Sequence, residues 1–120
     1  MANQFYVDLG AGLNVGVEAP KVPAPDLRAG MRCVIKHDGT EVQLPKPLAM
    51  DTIETLIGAH GIGTVNLRRH GLVMIVDDMG AHRETPLNAK ATALYHAICR
   101  PGTTWPIRGD VAIVPDEDFA

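Results

Sequence analysis

Leu72-Val73-Met74-Ile75-Val76 is an unbroken apolar run, preceded by His70-Gly71 and followed by Asp77-Asp78-Met79-Gly80. A strand solvated on one side alternates apolar with polar residues. A run without alternation suits a central strand covered on both faces. The acids and glycine after it carry turn chemistry. Just upstream, Thr64-Val65-Asn66-Leu67-Arg68 alternates, with Val65 and Leu67 inward, and His70-Gly71 supplies a tight turn between the two strands.

Working outward, Met31-Arg32-Cys33-Val34-Ile35-Lys36 reads as a strand. Asp38-Gly39 is a hairpin dipeptide, and Thr40-Glu41-Val42-Gln43-Leu44 is the return strand, ended by Pro45 and Pro47. Asp51 is the expected N-cap of a first helix, with Glu54 completing a capping-box pattern. Ile53, Leu56 and Ile57 mark its buried face, and Gly58, Gly61 and Gly63 stop it. Thr85 followed by Pro86 is the expected start of a second helix, whose stripe is Leu87, Ala91, Leu94, Tyr95 and Ile98. Asn88, Lys90 and Thr92 fall outside that stripe, and Pro101-Gly102 ends the helix. Ile107 to Val114 reads as the last strand. The order ββαββαβ predicts an α+β fold: a mixed or antiparallel sheet of about five strands with two helices, expected on one face.

The flanks differ from this body. Residues 1–30 carry Gly10, Gly12, Gly16, Pro20, Pro23 and Pro25, and read as an irregular arm with short strands at Phe5–Val7 and Leu13–Val17. Residues 31–114 form the compact domain. Residues 115–120 form an acidic tail, expected to fray.

The chain has 120 residues, 46% of them hydrophobic, which is enough for one core without staples. Its net charge of −3 argues against a general nucleic-acid binder. The first residues lack the basic start and apolar run of a secretory signal, and no window suits a membrane span, so a cytoplasmic protein is expected. Cys33 and Cys99 read as buried free thiols, with a disulfide between them as the alternative.

Chemistry-bearing residues are sparse. The chain contains no serine, and no phosphate-loop, kinase or deaminase motif is present. Asp77, Asp78 and His82 follow the buried strand and are the least implausible metal or catalytic group, against a plain solvated turn. Arg83, Thr85 and Asn88 surround the start of the second helix, where free amides and the dipole favour an anion, against a local backbone role for Asn88. Trp105 is the one tryptophan and a candidate interface anchor, against partial burial on the core. No cofactor is expected.

The helix with Ile53, Leu56 and Ile57, the strand ending in Val73 to Asp77, Pro86-Leu87-Asn88-x-x-Ala91 and Ile107-x-Gly109-Asp110-Val111 form a shared layout. In these features residues 51–114 resemble a family of short proteins encoded by phages, plasmids and other mobile elements. The resemblance implies a mobile-element setting inside a host cell and carries over no catalytic residue. The expectation is a non-enzymatic accessory protein that binds a host protein, with counter-defence as one such role. The alternative is a small-ligand or nucleotide-binding module at the start of the second helix. The hairpin edge could also pair with a second copy to form a homodimer.

Overall fold

The computed structural model describes residues 22–80, 84–98 and 105–119. The expected strands at Phe5–Val7 and Leu13–Val17, and most of the N-terminal arm, lie outside the described residues, as do His82, Arg83 and Cys99.

The element order is β1 (Cys33–Ile35), β2 (Glu41–Gln43), α1 (Met50–Leu56), β3 (Ile62–Asn66), β4 (Leu72–Asp77), α2 (Ala89–Ile98) and β5 (Val111–Pro115). This is the α+β order the sequence predicts. The strands form one five-stranded sheet in the order β2-β1-β5-β4-β3, and every pairing is antiparallel. β5 is therefore central, with Ile113 opposite Cys33 on one side and Met74 on the other. The β1–β2 hairpin forms as read. Gly39 takes a φ of +96° in its turn, and the Thr40 amide donates to Asp38 Oδ1 at 2.9 Å. That amide holds the Asp38 carboxyl below its ordinary range.

The helices lie on opposite faces, not on one. Cys33, Ile35, Met74, Val111 and Ile113 pack with Ala91 and Leu94 of α2. Val34, Val73, Ile75, Ala112 and Val114 pack with Ile53 and Ile57 beside α1. The reason is the apolar run itself. Adjacent residues of β4 and β5 point to opposite sides, so a strand apolar at every position needs cover on both.

Helix boundaries also depart from expectation. α1 begins after Ala49, with no side-chain cap, and Asp51 sits inside its first turn. Glu54 reaches forward instead: its Oε2 accepts from the Gly61 amide at 2.7 Å. Leu56 is 47% exposed, while Ile53 and Ile57 face the sheet together with Met50. α2 begins at Ala89, not after Thr85. Residues 86–88 are held instead against 107–109: the Asn88 amide donates to the Ile107 carbonyl and the Gly109 amide to the Pro86 carbonyl. Leu87 and Arg108 form an isolated bridge there, so the expected last strand, begun at Ile107, starts only at Val111.

The C-terminal tail is docked, not frayed. Pro115 pairs with Leu72, and Asp116–Phe119 form a 3-10 turn. Arg32 Nε and Nη2 donate to the two carboxylate oxygens of Asp118, both at 2.9 Å. The compact body also starts earlier than Met31, since Leu27 packs against the α2-side core.

Candidate binding groove

α2 does not cover the whole sheet. Toward β3 and β4 it leaves an open groove of about 410 Å³, floored by Val65 and Val76 and bordered by Tyr95, Trp105, Ile107 and Arg108. That volume lies in the range of small-ligand and side-chain pockets. Asp77 and Asp78 line the same groove, so the structure brings both carboxylates and Trp105 together.

The two aspartates differ in their attachments. Asp77 is 9% exposed. Its Oδ1 accepts from the Met79 amide at 2.9 Å and the His60 amide at 3.3 Å. Those bonds fix the turn after β4. Asp78 is exposed, and its Oδ1 lies over Gly63, 3.3 Å from where a Cβ would sit. Among the described residues no group of three or more His, Cys, Asp or Glu comes together to hold a metal ion. The third expected ligand, His82, lies outside them.

Trp105 is 69% exposed, contrary to burial on the core. Its backbone is nevertheless held on the C-terminal side. His96 Nε2 lies 2.8 Å from the Trp105 carbonyl oxygen and hydrogen-bonds to it. Two residues on, the Thr92 hydroxyl donates to the Ile107 carbonyl at 3.2 Å and accepts from its amide at 2.9 Å. Thr92, placed by the sequence outside the helix stripe, is 1% exposed for this purpose. Its role could have been read only with residue 107 known to lie opposite.

Asn88 has no exposed surface. Its Nδ2 donates to the Ile35 and Gly109 carbonyls, each at 2.9 Å, and its Oδ1 caps α2 by accepting from the Ala91 amide at 3.0 Å. Every polar position of this side chain is occupied by the fold, so its role is structural, not ligand contact. Thr85 likewise turns inward, its hydroxyl donating to the Gly80 carbonyl at 3.0 Å. Arg83 lies outside the described residues. Arg108, which sequence reading passed over, donates from Nη1 to the Thr85 carbonyl at 3.0 Å at the groove's edge.

Cys33 is a buried free thiol. Burial, aided by the nearby Glu41 charge, pushes it up to about 11, so it is no nucleophile at neutral pH.

No helix among the described residues is long and apolar enough to cross a membrane. Fold and geometry together define an α+β protein with an open, aromatic-rimmed groove. No protein-family model, curated protein or solved structure matches this chain.

Proposed function

We propose that this chain is a non-enzymatic accessory protein of a phage or other mobile element that binds a host-cell protein through the groove beside Trp105. The resemblance of residues 51–114 supports the setting, and the host cytoplasm is the location that goes with it. The observation that carries the binding reading is Trp105 itself. A large aromatic, 69% exposed, has its own carbonyl held by His96, and Thr92 holds Ile107 two residues on. Interface hot spots are rich in tryptophan, and an anchor already ordered loses little entropy on binding. The test is affinity capture from host lysate with the parent and with Trp105→Ala. The expected result is a partner retained by the parent and lost by the variant. Equal recovery by both, or no partner above background, would overturn the reading.

A further inference from the structure

The lining of the groove says which partner chemistry fits it. Val65 and Val76 give it an aliphatic lining, and two aromatic residues, Tyr95 and Trp105, border it. Among the described residues two carboxylates line it, Asp77 and Asp78, with one guanidinium, Arg108. Asp77 is held by amides of its own turn, and Arg108 is directed at the Thr85 carbonyl. Asp78 is exposed. The chain as a whole carries −3.

We propose that the groove accepts an arginine side chain from a basic segment of the partner protein. The guanidinium stacks on the Trp105 indole and pairs with the Asp78 carboxylate, while its aliphatic stem lies along Val65 and Val76. An aromatic face beside a carboxylate is the pairing that a planar, weakly hydrated guanidinium satisfies and a phosphate does not. Carboxylates on the wall repel anionic ligands, which sets a nucleotide against this site. The inference rests on the groove being the contact surface, as proposed above.

Trp105 is the only tryptophan, so intrinsic fluorescence reads this groove directly. The full chain is titrated with a blocked arginine peptide, its neutral citrulline counterpart and a nucleoside monophosphate. The expected result is a saturable change with arginine, about tenfold weaker with citrulline and about tenfold weaker in Asp78→Asn. Added salt should weaken the arginine response further. Equal responses to arginine and citrulline, a tighter response to the nucleotide, or an Asp78→Asn titration identical to the parent would each overturn the inference. Gly63→Ala provides a second variant, because its Cβ would press on Asp78 Oδ1 and move that carboxylate without altering its charge. Its arginine response should fall, and an unchanged one counts against the proposed pairing. Loss of host-protein capture in Trp105→Ala together with a silent arginine titration would sink this inference alone. Retained capture in Trp105→Ala would sink the functional reading beneath it.

Discussion

Trp105 and Gly109 are four positions apart, yet they belong to opposite regimes of the same segment. Around 107–109 buried side chains bind the backbone inside the protein: Asn88 ties Ile35, Gly109 and Ala91 together, and Thr92 holds Ile107. At Trp105 the backbone is tethered but the side chain faces outward. The contrast separates two meanings of a prominent polar or aromatic residue. A saturated, buried one builds the fold. An exposed one on a fixed backbone is available to something else.

The sharpest way to break this contrast is Asn88→Ala. It removes a helix cap and the side-chain donor to the Ile35 and Gly109 carbonyls, so urea denaturation should show a loss of about 3 kcal/mol. A loss under about 1 kcal/mol would mean that the corner is not the tie it resembles. Next in size is the alkaline response of the buried face. The Cys33 thiol is held above its ordinary value of 9.0, at about 11. The folded state therefore keeps a proton that the unfolded chain releases, and stability falls as pH rises from 9.0 through about 11. By about pH 11 that loss should approach 2 kcal/mol, and Cys33→Ala should lack it. Chemical denaturation of both forms across that window checks the difference. Thr92→Val should cost about 1–2 kcal/mol, because the Ile107 amide loses its acceptor. Smallest of all is Trp105→Ala, which should move stability by less than about 0.5 kcal/mol while abolishing partner capture. A large stability loss there would erase the distinction between the two regions.

Much of the fold was legible in local chemistry. Asp38-Gly39 marked its hairpin, and the run from Leu72 to Val76 marked a strand covered on both sides. The placement of both helices on one face was the misreading: a strand apolar at every position needs cover on both sides, and the buried succession Cys33, Val34, Ile35 carries the same demand. Helix starts were harder. Thr85-Pro86 is a good local cap, but pairing of Leu87 with Arg108 keeps that stretch extended and hands the cap to Asn88. A contact across about twenty residues outweighs a local preference, and single-sequence reading does not see it. The candidate site divides in the same way. Asp77 and Asp78 look equivalent as letters, while the turn occupies one and exposes the other. Trp105 reads as a core residue by default, whereas it is exposed in the fold.

The sheet order has a consequence for how the chain is made. β5 is last in chain order but sits in the middle, between β1 and β4. The two hairpins can assemble from nearby sequence as synthesis proceeds. Each then waits with a bare edge and apolar faces until β5 leaves the ribosome and slots between them. Completion of the fold is therefore a late, long-range event, slower than either hairpin and most exposed to aggregation just before it. A nascent chain halted ahead of Val111 holds both halves of the sheet and lacks the strand that joins them.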